Sequence, residues 1–307
     1  MTKLIYPQGS WVAIVTPFDA KLEMDLGVMR DLVDFHAANN TSTLLIMGST
    51  GEPTLLTIEE RKRIIKEMAA YCKGKIHAFF GVTLGSTAMT IDLARYAQDQ
   101  DADGIVIVVP PYLAPPQNAV FTYLKDVCLA VDISVGLYNN PARVIANVDP
   151  ATIVRLFHEV PNLVADKEAM PSLGQLAAVY DGTEGRLPLL CCDSPAYGLV
   201  IPTLGLGGRG TANVTGNVHP RAVASMSTPW SCWEDVENCR RQYYGLLPLM
   251  EAAYAATNPV AIKAMIRLLG FPVGHCRPPL PDPQPKVFEA MKQVIERFEL
   301  KKLYGLK

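Results

Sequence analysis

Short runs of apolar residues alternate with segments of helical period along the first two-thirds of the chain. The helical segments, such as 58–73 and 86–100, place apolar residues three and four positions apart, which is the spacing of one helix face. Thr57 followed by Glu60 is a capping box and marks where the first of these helices begins. The strand candidates are continuously apolar, as in parallel strands covered on both faces. They lie at 11–15, 43–47, 76–81, 104–109, 133–138, 163–167, 187–191 and about 209–214.

The order of these elements predicts the fold. Eight strands separated by helices favour a closed (β/α)8 barrel, the TIM barrel, over an open doubly wound sheet. An open sheet that binds dinucleotides has a glycine-rich loop after its first strand, whereas TPFDAKLEMD follows here. Segments 233–256, 258–269 and 284–300 are helical in period. We therefore expect an α/β protein with a barrel over 1–215 that carries the active site, and a C-terminal helical appendage over 216–307 packed on the barrel.

Composition and charge exclude several classes of protein. Hydrophobic residues make up 49% and charged residues 19% of the 307 residues, so a large core can form. A net charge of -2 leaves no basic surplus for binding nucleic acid. No apolar run has the ~20 residues of a membrane-spanning helix, and the N-terminus lacks the shape of a signal peptide. The odd count of seven scattered cysteines predicts reduced thiols in a cytoplasmic protein, and no His/Cys set has metal-site spacing.

Reactive side chains in a parallel barrel lie at the C-terminal ends of the strands. Strand six ends in Lys167, where burial would lower the pKa and give the neutral amine that a Schiff base requires. Position alone equally allows Lys167 to reach solvent or to pair with Asp166 or Glu168, although strand alternation would turn Asp166 away. Tyr138 ends the neighbouring strand. It would relay protons during imine formation, or serve only as a hydrogen-bonded aromatic at the barrel mouth.

The loops after strands two, four and five offer further candidates. The turn GSTGE at 48–52 presents backbone N–H groups and two hydroxyls that suit a small carboxylate, although such turns also occur as plain connectors. Arg143 would clamp a second carboxylate, or be a surface arginine. Glu52 is expected to pair locally with Arg61 or to cap a turn. Tyr112 follows two prolines on a rigid loop and would contact substrate or lie at an interface.

Three motifs occur together in a specific order, GSTGE after strand two, YNNPAR after strand five and DKEA after strand six. This combination resembles the N-acetylneuraminate lyase/dihydrodipicolinate synthase superfamily, from the VTPF opening to Asn258-Pro259. The resemblance implies that Lys167 forms an imine with pyruvate or a similar 2-keto acid, that Tyr138 shuttles protons, and that no metal or cofactor is needed. It also implies a homotetramer, a dimer of dimers. The expected substrate-binding residues are Gly48, Ser49, Thr50, Gly51, Arg143, Tyr112, Asp193 and Ala212.

Departures from the synthase branch bear on the substrate. Leu113 stands where that branch has the second tyrosine of a Tyr-Thr-Tyr relay, so the relay is expected to be broken. Residues 144–145 replace a Thr-Gly pair, which would shift the arginine loop. Cys192 occupies a position that is glycine in many members, and Ala212 stands where a bulkier aliphatic residue lines the imine, which would widen the pocket. Asp193 could address a substrate hydroxyl, as in the sugar-acid branch.

These features predict a Schiff-base lyase that cleaves, dehydrates or deaminates a 2-keto-3-deoxy sugar acid or a related small keto acid. The alternative within the same chemistry is dihydrodipicolinate synthase, which condenses pyruvate with aspartate semialdehyde. Arg143 keeps that alternative open, whereas Leu113 argues against it. An alternative of another class is a non-catalytic paralogue that binds a keto acid, and the retained Lys167 and Tyr138 argue against it.

Overall fold

A computed structural model of the chain describes residues 3–306 and shows eight parallel strands closed into one barrel. Each strand pairs with the next, and the eighth pairs with the first through Ala212 and Trp11. The TIM barrel predicted from the sequence is therefore confirmed. The strands are β1 (Gly9–Ala13), β2 (Thr43–Ile46), β3 (His77–Gly81), β4 (Gly104–Ile107), β5 (Ser134–Asn139), β6 (Leu163–Glu168), β7 (Leu189–Cys191) and β8 (Gly210–Asn213).

Helices alternate with the strands and continue after the last of them. The helices up to β8 are α1 (Leu26–Ala37), α2 (Ile58–Cys72), α3 (Thr87–Asp99), α4 (Gln117–Leu129), α5 (Pro141–Val144), α6 (Pro150–Glu159), α7 (Leu173–Gly182) and α8 (Val200–Gly205). Those after β8 are α9 (Pro220–Met226), α10 (Trp233–Ala253), α11 (Val260–Leu269), α12 (Pro285–Arg297) and α13 (Leu300–Tyr304). The predicted division near residue 215 falls in the turn between β8 and α9 and stays a prediction.

The start of α2 follows the signal read from the sequence. The Thr57 hydroxyl accepts the Glu60 N–H at 3.1 Å, and the Glu60 carboxylate accepts the Thr57 N–H at 2.8 Å, so the capping box is confirmed. The same carboxylate pairs with Arg277 at 2.5 and 2.8 Å. Because Arg277 belongs to the proline-rich connector between α11 and α12, this pair ties that connector to the barrel.

The interior of the barrel is closed by large apolar side chains. Trp11 and Phe79 pack edge to face with their ring centroids 5.3 Å apart. Leu45, Leu190 and Ala212 belong to the same buried cluster. A filled interior means that the accessible space lies at the C-terminal ends of the strands, which is where TIM-barrel enzymes bind their substrates.

Strand β6 presents alternate residues to the two faces of the barrel wall. Lys167 points inward, with its amine 4.2 Å from the centroid of the Tyr138 ring. Glu168 points outward, and its carboxylate accepts bonds from the amides of Asn139 and Gln175. Asp166 shares the outward face, as strand alternation predicts. Both of its carboxyl oxygens are buried with no hydrogen-bond partner in residues 3–306, and burial together with the nearby Glu168 raises its pKa well above the ordinary value.

The substitution Asp166→Asn is predicted to change how stability depends on pH. Folding raises the pKa of Asp166. Above the pKa of about 3.9 that this carboxyl has in the unfolded chain, the unfolded chain therefore loses the proton more readily than the folded protein, and the folded protein loses stability. The free energy of unfolding of the wild type should therefore fall relative to the variant, by up to about 1.4 kcal/mol per pH unit above about pH 4. Chemical denaturation of both proteins across this range measures the difference. A difference that is constant with pH would contradict a protonated, buried Asp166.

Candidate active site

The turn after β2 brings two hydroxyls to the mouth of the barrel. Ser49 to Gly51 form a single turn of 3-10 helix, and Thr50 is buried. The Thr50 hydroxyl accepts a hydrogen bond from the Asn258 amide at 3.1 Å. The Gly51 N–H is donated to the Gly48 carbonyl oxygen at 2.8 Å. Gly51 was expected to bind substrate, but this bond occupies its amide, so the hydroxyl side chains and the remaining amides of the turn are the groups left for a ligand.

Glu52 fixes this turn to the C-terminal region. It has a left-handed backbone conformation, with φ of 54°, and its carboxylate accepts a bond from the Lys263 amine of α11 at 2.7 Å. Both side chains of this ion pair are buried, and the carboxylate also accepts the Arg277 N–H at 2.8 Å. The expected local pairing of Glu52 with Arg61 is therefore wrong, because the turn aims the carboxylate at α11.

A cavity of about 240 Å³ opens at the C-terminal end of the barrel. Its wall combines hydroxyl, amine, guanidinium and thiol groups from four strand ends and their loops. Among the residues that line it are Ser49, Thr50, Tyr138, Arg143, Lys167 and Cys192. The structure thus brings together the lysine, the tyrosine, the two hydroxyls and the arginine that the sequence singles out. The cavity has room for a small organic acid.

Lys167 is the one base of the cavity wall whose environment favours the uncharged form. Its side chain is only 2% exposed, and it forms no ion pair within residues 3–306. The alternative in which Lys167 pairs with Asp166 or Glu168 is therefore excluded. Burial lowers the pKa of the Lys167 amine, since a cation is poorly solvated there. The result is an amine at a cavity wall that can hold a free lone pair.

The Tyr138 hydroxyl is held by a neighbouring amide. The Asn140 side-chain amide donates to the phenol oxygen at 2.6 Å, and the Cys192 sulfur lies 4.0 Å from the same oxygen. Burial raises the pKa of Tyr138, so the phenol stays protonated at neutral pH. Because Asn140 occupies a lone pair of the oxygen, the phenol proton is free to point towards another acceptor. Tyr138 is thus a positioned proton donor beside the Lys167 amine.

Arg143 lies where two cavities meet. Its guanidinium donates to the Asn258 carbonyl oxygen at 3.1 Å and lines the cavity of Lys167. It also lines a second cavity of about 280 Å³, which shares Ser49, Tyr138, Asn140 and Arg143 with the first. Arg143 is therefore placed to bind an anionic group next to a molecule held at Lys167.

Four residues expected to bind substrate do not line either cavity of the described chain, namely Gly51, Tyr112, Asp193 and Ala212. Tyr112 is 87% exposed on the loop after β4, and its backbone is left-handed, with φ of 76°. Ala212 is buried in the apolar interior of the barrel with Trp11 and Leu190. Its small side chain therefore belongs to the packed interior, and the expected widening of the pocket at this position is not observed.

Asp193 also differs from its expected role. Its carboxylate accepts the backbone N–H groups of Val214 and Thr215, each at 2.9 Å, and the Tyr254 hydroxyl at 2.5 Å. It is fully buried and does not line the cavities of residues 3–306. Since the fold already uses both carboxylate oxygens, Asp193 joins β7, β8 and α10 and does not present itself to a substrate hydroxyl.

The site contains two asparagines that the sequence reasoning missed. Asn140 was visible only as part of the strand-five motif, directly after a strand end. Asn258 bonds to both Thr50 and Arg143, and so links the β2 turn to the β5 loop. Nothing local in the sequence signals this second role, because Asn258 comes from the segment between α10 and α11.

Comparison with known proteins identifies the family. A sequence model of the Dihydrodipicolinate synthetase family matches residues 6–297. This chain belongs to that family. The 4-hydroxy-tetrahydrodipicolinate synthase of Methanococcus maripaludis strain C5 is 31% identical over 274 residues, which cover 89% of this chain and 92% of that protein.

Solved structures agree with this assignment. The crystal structure of dihydrodipicolinate synthase from Aquifex aeolicus superimposes with a TM-score of 0.91 at 30% identity, covering 96% of this chain and 99% of that one. A structure described as the first monomeric dihydrodipicolinate synthase variant superimposes with a TM-score of 0.88 at 29% identity, covering 95% and 97% of the two chains.

The family determines the class of chemistry. Its members are pyruvate-dependent enzymes of the class I aldolase type, which form an imine between a lysine and pyruvate and use no metal or external cofactor. The chain is therefore an enzyme of this type. None of the helices in residues 3–306 is long and apolar enough to cross a membrane.

The substitution Asn140→Leu should slow imine formation by roughly fivefold to tenfold, because it removes the hydrogen bond that holds the Tyr138 hydroxyl. Stopped-flow measurement of single-turnover imine formation with pyruvate checks this. In a Tyr138→Phe background the same change should have little further effect, since the phenol oxygen is already absent. Additive losses in the double variant would contradict action through Tyr138.

Proposed function

We propose that this protein is a class I lyase in which Lys167 forms an imine with a 2-keto acid. Through this imine the enzyme would cleave, dehydrate or deaminate a 2-keto-3-deoxy sugar acid or a related small keto acid. The observation that carries the proposal is the Lys167 amine, which is buried, unpaired within the described residues and open to a cavity. Burial lowers the pKa of this lysine and so increases the fraction of the uncharged amine, which is the nucleophile.

The surrounding groups support each step of imine formation. Ser49 and Thr50 would hold the keto acid carboxylate through their hydroxyls. The Lys167 nitrogen then bonds to the keto carbon, and the Tyr138 hydroxyl supplies a proton to the carbonyl oxygen, which leaves as water after a second protonation. The protonated imine is an electron acceptor at C2. Removal of the proton of the C4 hydroxyl lets the C3–C4 bond cleave into an aldehyde and an enamine, whereas removal of a C3 proton gives an enamine that expels the substituent on C4 and leaves a conjugated imine. Protonation of the enamine and hydrolysis of the imine release the product.

A second candidate is dihydrodipicolinate synthase, condensing pyruvate with aspartate semialdehyde. It is favoured by the relatives, several of which are 4-hydroxy-tetrahydrodipicolinate synthases about 30% identical to this chain. Arg143, at the junction of the two cavities, would bind the carboxylate of the second substrate. We rank this candidate second because Leu113 stands on the exposed loop after β4 where a second relay tyrosine is expected.

We further propose a homotetramer in the cytoplasm. Tyr112, Leu113 and Ile145 are exposed large apolar side chains on the loops beside the barrel mouth, and a subunit contact would cover them. The seven free cysteines agree with a reducing compartment.

Borohydride reduction in the presence of pyruvate tests the proposed chemistry. We expect one reduced pyruvate adduct per chain, found by peptide mass mapping on Lys167. Lys263 is the matched control inside the chain, because it is equally buried but its amine is held by Glu52. It should carry no adduct, and Lys167→Met should abolish labelling. An unmodified Lys167 in the wild type would contradict the proposal.

Turnover assays separate the candidate functions. We expect pyruvate release from 2-keto-3-deoxy sugar acids to exceed the NADPH-coupled synthesis of dihydrodipicolinate by about tenfold or more in kcat/KM. Faster turnover of pyruvate with aspartate semialdehyde would make the synthase the correct assignment. A Lys167 adduct without turnover of any substrate would favour the non-catalytic paralogue.

A further inference from the structure

The second cavity contains a charged residue that imine formation with pyruvate does not use. Arg61 of α2 lines this cavity, together with Arg143 and Tyr138 of the imine site. We propose that Arg61 is an anion-binding residue that recognises a carboxylate or other acidic group at the far end of a 2-keto acid bound to Lys167. The proposal rests on the proposed function and adds the substrate class, a keto acid with a distal acidic group.

The guanidinium of Arg61 is buried and only partly satisfied. The residue is 4% exposed. One terminal nitrogen donates to the Thr83 carbonyl oxygen at 3.0 Å, the other donates to the Pro53 carbonyl oxygen, and Nε has no partner within residues 3–306. A guanidinium has more N–H groups than these two bonds occupy. N–H groups without a protein partner thus remain on a residue that lines the cavity.

No carboxylate of the described residues neutralises Arg61. The buried Glu52 is paired with Lys263, and the half-buried Glu60 is paired with Arg277, so both of these carboxylates are already occupied. Burial lowers the pKa of Arg61, and no anionic neighbour opposes this shift. An arginine still remains charged at neutral pH. A buried cation without a counter-ion is costly, and an anionic ligand in the cavity would relieve that cost.

The cavity leads from Arg61 to the imine site. Its volume of about 280 Å³ adds to the cavity around Lys167, which it joins at Ser49, Tyr138, Asn140 and Arg143. Part of its wall is apolar, formed by Met47, Val106 and Val108. A keto acid attached to Lys167 would therefore run its carbon chain along an apolar wall before its far end meets the guanidinium.

Arg61 also joins the Pro53 and Thr83 backbones, so a purely structural role must be separated from recognition. A structural role would change the stability of the protein, or its reaction with every keto acid alike. Recognition instead changes the preference for an acidic over a neutral far end. The decisive readout is therefore a ratio between two ligands measured on the same protein.

The test is competitive borohydride trapping on Lys167. Pyruvate competes with 2-oxoglutarate, 2-oxoadipate, 2-oxopimelate or 2-oxosuberate, and in parallel with the monocarboxylic 2-oxo acid of the same chain length. The adducts are distinguished by mass, and their relative amounts give the preference of the protein for each acid over pyruvate. In the wild type we expect at least one diacid to be preferred over its monocarboxylic partner by about tenfold or more. Arg61→Met should abolish this preference, whereas Arg63→Met, an exposed arginine of the same helix, should retain it.

Three results would overturn the inference. The first is a wild type that does not distinguish diacids from monoacids of any length. The second is an unchanged preference in Arg61→Met. The third applies if Arg61→Met does not fold. It is an Arg61→Lys variant whose preference for diacids equals that of the wild type at every chain length, because an ammonium cannot reproduce the guanidinium geometry. Adducts without a preference contradict only this inference, whereas the absence of any wild-type adduct contradicts the proposed function as well.

Discussion

The alternation of side chains along β6 is the constraint on which the site depends. It places Lys167 inside the barrel and turns both flanking carboxyls, Asp166 and Glu168, to the outer face. A carboxylate beside the Lys167 amine would hold it as a cation, whereas with both flanking carboxyls turned away burial outweighs the effect of the remaining nearby charges and lowers the pKa of the amine. The apolar interior below and the cavity above then give that amine one accessible direction.

The chain contains a contrasting lysine that shows what a carboxylate partner does. Lys263 is as deeply buried as Lys167 and burial lowers its pKa as well, but the Glu52 carboxylate 2.7 Å from its amine opposes that shift and occupies the amine. That pair holds the β2 turn against α11, while Asn258 links the same turn to the Arg143 loop. The C-terminal helical region therefore positions the groups around Lys167, although the lysine itself comes from the barrel.

The sequence predicts what depends on local pattern. The apolar runs give the eight strands, Thr57 and Glu60 give the start of α2, and the strand-end rule places Lys167 and Tyr138 at one cavity. Contacts between distant segments were not predictable in the same way. The pairing of Glu52 with α11 and the use of Asp193 by the fold depend on where long side chains reach once the helices have packed. Local spacing along the chain carries no information about such distances.

The most direct test of the account is the pKa of the Lys167 amine. After reductive ¹³C-methylation of the lysines, NMR titration of the wild type and of Lys167→Met identifies the Lys167 signal and follows its ionisation. We expect the Lys167 amine to titrate clearly below the ordinary lysine value of 10.5. A Lys167 pKa at or above 10.5 would show that an anion stabilises the charged amine. That result would contradict the unpaired, buried amine on which the mechanism rests.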